Sequence, residues 1–108
     1  MANTFKLKTK ANVGVTTSNV YTVPSATTTV VIGVTLANTT GSSINVGVGV
    51  TRASTDNVKL MKNVPIPQGA SFEFMAGNKV VLETTDTLTA ESDVSNSLDV
   101  ALTIMEIT

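Results

Sequence analysis

The sequence predicts an all-β protein, a single β-sandwich (jelly-roll or Ig-like) of about eight strands. Three observations carry that prediction. Threonine and valine make up about a third of the 108 residues, and β-branched side chains suit a pleated, half-buried surface. Short segments of two-residue alternation recur between clusters of Gly, Pro, Asn, Asp and Ser, which is the grammar of strands and turns. No segment carries a 3.6-residue apolar period of helical length. A chain of this size buries one core without staples, so one sandwich domain is expected over 11–108. Residues 1–10 are expected to form a basic N-terminal arm or a first strand.

The elements follow in order. FKLKTK, residues 5–10, alternates with period two and puts Lys6, Lys8 and Lys10 on one side of a strand. Lysine on an exposed edge guards against strand-to-strand association; alternatively, this arm docks on an acidic neighbour. NVYTV (19–23) is a short strand stopped by Pro24, because proline has no ladder donor. Residues 27–37 form a long strand with Val30, Ile32, Val34 and Leu36 facing the core. The turn formers NTTGSS (38–43) lead into 44–51, whose core face is Ile44, Val46, Val48 and Val50. These two strands are expected to pair as a hairpin.

Asn57–Met61 is a further strand, and VPIPQG (64–69) reads as an edge-like connector closed by a glycine turn. SFEFM puts Phe72 and Phe74 on one face. KVVLE (79–83) is a strand that Thr84-Thr85-Asp86 bends before Leu88-Thr89-Ala90. The last strand, 98–107, faces inward with Leu98, Val100, Leu102 and Ile104, and Glu106 stands where that series would continue.

Charge patterning bears on function. No charged residue occurs from Ala11 to Thr51, whereas about a quarter of an average domain is charged. The faces expected opposite the core carry Val31, Gly33, Thr35 and Ala37 on one strand and Asn45, Gly47, Gly49 and Thr51 on the next. A flat neutral sheet suits contact with another subunit. The candidate assembly interface is therefore Lys6, Lys8, Lys10, Val31, Gly33, Thr35, Asn45, Gly47, Gly49 and Thr51.

Most chemistry lacks its residues. The chain has no histidine and no cysteine, so the usual general bases, thiol nucleophiles and zinc ligands are missing, and no enzyme, cofactor or metal site is expected. GVGV sits mid-strand and leads into no helix, unlike a phosphate loop. A net charge of −1 and four aromatic residues give no footprint for nucleic acid. No apolar run is long enough to cross a bilayer as a helix, and MANTFKLKTK lacks the apolar core of a signal peptide. Glu83, Asp86, Glu91 and Asp93 form the one local acidic cluster; their spacing matches no EF-hand loop, and solvated turn carboxylates are expected. Asn38-Thr39-Thr40 fits a glycosylation acceptor pattern by chance.

Five segments taken together carry a resemblance: MANTFK, VYTVPSATTTVVIGVTLANTTGSS, KNVPIPQGASFEF, GNKVVLETTDTLTAES and VALTIMEIT. In that order they resemble small virion-associated structural proteins of tailed bacteriophages of marine and cyanobacterial type. Tyr21, Pro24, Asn38, Pro65, Pro67, Gly69, Leu82, Glu83 and Asp86 occupy the places of that pattern. The resemblance implies a non-enzymatic component of the virion, made in the host cytoplasm and present in many copies. A capsid decoration or cement protein would set its neutral sheet and lysine arm against the major capsid protein. A neck or tail ring component would instead pair sheets around an axis with neck or tail proteins. A carbohydrate- or host-surface-binding module is the third possibility. Homo-oligomers are expected, and neither nucleic acid nor membrane as a partner.

Overall fold

The computed structural model describes residues 3–52, 56–74 and 79–108. Among these described residues there are nine strands: β1 (Asn3–Val13), β2 (Ser18–Thr22), β3 (Thr28–Asn38), β4 (Ile44–Thr51), β5 (Asn57–Ile66), β6 (Ser71–Phe74), β7 (Val80–Leu82), β8 (Thr87–Ser92) and β9 (Leu98–Ile107). They form two antiparallel sheets. The first, sheet A, runs β1-β9-β3-β6, with β7 also on β3; the second, sheet B, runs β2-β8-β4-β5. β6 lies against Val34–Ala37 and β7 against Thr29–Val31, so two short strands share one edge. With β6 and β7 counted as one edge, two four-stranded sheets remain, and most connections cross between them. That is the arrangement of a jelly roll.

The core is the space between the sheets. Sheet A contributes Val31, Val34, Leu36, Leu82, Leu98, Val100, Leu102 and Ile104, and sheet B contributes Tyr21, Ile44, Val46, Val48, Val50, Met61, Leu88 and Ala90, all buried. β4 and β9 obey the expected alternation throughout. β3 does not. Its pairing with β9 shifts between Val31 and Gly33, and this bulge changes which side chains face inward. Ahead of it the buried residues are Thr29 and Val31; beyond it they are Val34 and Leu36. Val30 and Ile32, expected in the core, are half-buried.

The expected β3–β4 hairpin is also corrected. β3 pairs with β6, β7 and β9, whereas β4 pairs with β5 and β8. The segment between them crosses from one sheet to the other, and Asn38 holds the crossing. Its Nδ2 lies 2.7 Å from the Ser42 carbonyl oxygen, 3.0 Å from that of Ile66 and 3.1 Å from that of Pro67. Its Oδ1 accepts from the Thr40 N–H at 2.9 Å and the Thr40 hydroxyl at 2.8 Å. One buried amide thus satisfies backbone groups of two connections, which a closed core requires. Burial of Asn38 also explains why the Asn-Thr-Thr pattern presents no accessible acceptor.

Candidate assembly surface

β1 begins the site. Its register with β9 sets Lys6, Lys8 and Lys10 opposite Ile104, Leu102 and Val100, and Phe5 and Leu7 opposite Met105 and Thr103. Residues facing each other across a ladder share a side of the sheet. The lysines therefore lie on the core side, at the open flank of the sandwich, and the apolar residues point outward. Lys6 Nζ reaches Glu106 Oε1 at 2.8 Å, and Lys8 Nζ lies 6.0 Å from the centre of the Tyr21 ring. At the end of β1, Asn12 takes a positive φ of 58° and donates its N–H to Asp99 Oδ1 at 3.0 Å. Asparagine tolerates that conformation better than most residues. The resulting bulge turns Val13 into the core.

Behind the lysines is a buried polar cluster. The Tyr21 hydroxyl donates to Glu106 Oε2 at 2.5 Å and lies 2.8 Å from Thr29 Oγ1. The bonds from Lys6 and then Tyr21 hold the Glu106 carboxyl below its ordinary range. Burial, then the bond to Glu106, pushes the Tyr21 phenol up to about 12. Glu106 thus occupies the inward position that its place in the β9 series indicated, neutralised by Lys6 rather than exposed.

The outer face of sheet A is the principal exposed apolar surface. Across four strands the registers align Phe5, Met105, Val30 and Val81 in one row. The next row carries Leu7, Thr103 and Gly33. Phe5 is 69% exposed, Leu7 65% and Val81 58%. A third row carries Thr9, Ala101 and Thr35 and ends in Glu73, and with Ala11 and Ala37 its small residues floor a shallow depression of about 230 Å3 that Lys10 and Asp99 also line. The strand residues on this face include no lysine or arginine; Glu73 and Asp99 lie at the end away from Phe5.

The outer face of sheet B carries Asn45, Gly47, Gly49 and Thr51 from β4, flanked by Thr87, Thr89 and Glu91 of β8. It is crossed by an ion pair, Lys59 Nζ to Glu91 Oε1 at 2.6 Å, and Glu91 also accepts from the Thr17 hydroxyl at 3.1 Å. The Lys59 contact, ahead of Thr17, lowers the Glu91 carboxyl pKa. The glycines serve this arrangement. A Cβ on Gly49 would sit 2.8 Å from the Val58 carbonyl oxygen and 3.3 Å from Lys59 Cδ. One on Gly47 would meet the Met61 carbonyl oxygen at 3.3 Å and Glu91 Cγ at 3.4 Å. The bulged backbone of β5, whose register with β4 shifts twice, presses on β4 there.

The ten residues expected to form one interface therefore separate. Lys6, Lys8 and Lys10 line the open flank, Gly33 and Thr35 face out from sheet A, and Asn45, Gly47, Gly49 and Thr51 belong to sheet B. Val31 is 0% exposed and belongs to the core. Gly47 and Gly49 are buried beneath their neighbours. Phe5, Leu7, Met105 and Val81 were not among the expected residues. On an edge strand alternation separates two faces without saying which one is inside. Gly33 differs from the β4 glycines, because nothing lies within 4 Å of a Cβ placed on it.

The acidic cluster also divides. Arg52 pairs with Glu83, and its Nε lies 3.2 Å from Asp86 Oδ1. Asp86 Oδ2 accepts the Glu83 N–H at 2.9 Å. Asp86 is buried rather than solvated, which corrects that expectation. At the other end of β8, Asp93 Oδ1 accepts the Asn45 N–H at 3.0 Å. No group of three or more potential metal-ligating side chains occurs among the described residues.

No family model matches the chain, and no curated protein does. A solved structure described by the words "Bacillus endospore appendages form a novel family of disulfide-linked pili" shares the fold. The TM-score is 0.59 at 12% identity, over 99% of this chain and 87% of that one. At that identity the likeness is one of fold.

Proposed function

We propose that this protein is a non-enzymatic structural subunit of a multi-copy assembly, in the best reading a decoration protein of a tailed-phage capsid. One observation carries the reading: the outer face of sheet A, where Phe5 and Leu7 protrude beside a depression floored by Ala11, Ala37 and Ala101. Knob and hollow on one face make it self-complementary, as an interface between copies related by a twofold axis requires. Aromatic and aliphatic anchors with little charge at the centre match the composition of such interfaces. The resemblance of MANTFK, VPIPQG and the closing strand to virion proteins supports a phage particle as the assembly. The pilus fold-neighbour favours a second reading, a subunit of a fibre or tail ring. Its disulfide linkage has no counterpart here, since the chain has no cysteine.

Gly33→Glu tests the reading. Nothing lies within 4 Å of a Cβ at this site, so the variant folds, and the charge lands amid the apolar rows. Loss of self-association with an unchanged circular dichroism spectrum supports the proposal. An equal stoichiometry for both proteins removes sheet A as the interface.

A further inference from the structure

A jelly roll has four sheet edges, and three of these are closed to pairing. β2 is five residues long and its register with β8 shifts at Asn19–Tyr21. β6 and β7 are four and three residues long. β5 is longer, but its register shifts twice, Asn63 has a φ of 56°, and Pro65 withholds a donor. Short strands, bulges and proline protect these edges, as charge, lysine above all, protects others. β1 differs. From Asn3 to Lys10 it stays in unbroken register with β9, and no described strand pairs with its other side.

The lysines decide what can pair there. Residues two apart on a strand project to the same side about 6.7 Å apart. Lys6 is committed to Glu106. Lys8 and Lys10 form no ion pair with the described residues. When β1 of one copy pairs with β1 of another about a twofold axis perpendicular to the sheet, residues of like parity stand opposite one another. Lysines then meet or flank lysines in every central register, and like charges opposed across a ladder are unfavourable. The β5 edge of another copy brings Lys59 and Lys62 together with its bulges.

We propose that the free edge of β1 accepts an extended segment of a different protein, one carrying carboxylates at alternate positions that stand opposite Lys8 and Lys10. Main-chain hydrogen bonds supply the affinity and the lysines supply the choice of partner. The inference rests on the edge rather than on the outer face of sheet A. Gly33→Glu, which tests the oligomer, therefore leaves this binding intact.

The experiment is an NMR titration of the full chain with a blocked peptide of Val and Thr carrying glutamate at alternate positions. Two control peptides replace the glutamates by lysine or put proline at the centre. The inference predicts that resonances of Asn3–Lys10 shift and that their outward amides gain exchange protection. It also predicts that the glutamate peptide binds about tenfold tighter than the lysine peptide at low salt, with the gap closing as salt rises. The double variant K8Q/K10Q, which spares the Lys6–Glu106 pair, loses that preference. Equal binding of the proline peptide, equal binding of the lysine peptide, shifts confined to other strands, or no saturable binding each overturn the proposal.

Discussion

Tyr21 offers a spectroscopic test of the cluster that closes the open flank. It is the chain's single tyrosine, and there is no tryptophan, so phenolate absorbance in the near ultraviolet reports one hydroxyl. Burial and the bond to Glu106 raise its pKa from 10.0 to about 12. Two units correspond to about 3 kcal/mol of preference for the neutral phenol in the native state. The sign follows from linkage. Between about pH 10 and 12 the unfolded chain has released this proton and the native chain retains it. The Tyr21 contribution is therefore complete below about pH 10 and falls as pH rises through that window. The assay is an alkaline titration followed by absorbance and circular dichroism together, on native protein and in denaturant. The native phenolate is expected to appear well above the denatured one, and Glu106→Gln brings the native midpoint down. If the fold opens first, both signals change together, still above pH 10. A phenolate appearing near pH 10 with the fold intact would refute the placement of Tyr21.

Other consequences are as specific. Gly49→Ala is expected to lower stability by about 1–3 kcal/mol through collision with the Val58 carbonyl, whereas Gly33→Ala changes stability by less than about 1 kcal/mol; urea melts separate the two. Asn38→Ala strands carbonyls of two crossing connections and should cost about 2–4 kcal/mol, read as a lower denaturation midpoint with unchanged slope. Lowering the pH protonates Glu106, whose pKa is depressed in the native state, so the contribution of its Lys6 and Tyr21 bonds is present above the ordinary glutamate range and is lost as pH falls through the depressed native value. Lys6→Met should flatten that acid limb in thermal melts.

The sequence and the structure agree where alternation is unbroken. Ile44 to Val50 and Leu98 to Ile104 could be assigned to the core by period alone, because both strands lie in the sheet interior and their own alternation is unbroken, the bulges falling on the strands that pair with them. β3 was legible only in its second half. The bulge at Ile32 adds one residue, and a single added residue reverses every side chain beyond it. The crossing at NTTGSS was read as a hairpin because turn residues specify a reversal without specifying which sheet receives the chain. Asn38 carries that information through long-range bonds to Ile66 and Pro67. The glycines of β4 were visible as unusual, but their cause, the bulged β5 backbone, lies in another segment. Glu106 was conspicuous as an acid in an apolar series, and Lys6 and Tyr21, its partners, came from strands far away in the chain. The outward direction of Phe5 and Leu7 needed the register with β9.

The central claim is that the apolar outer face of sheet A joins copies of this chain. Light scattering of the wild type and of Gly33→Glu over a wide concentration range tests it most directly. The account predicts a defined multimer for the wild type and a folded monomer for the variant. A wild type that stays monomeric at the highest concentration, or a variant with the same mass as the wild type, would contradict it.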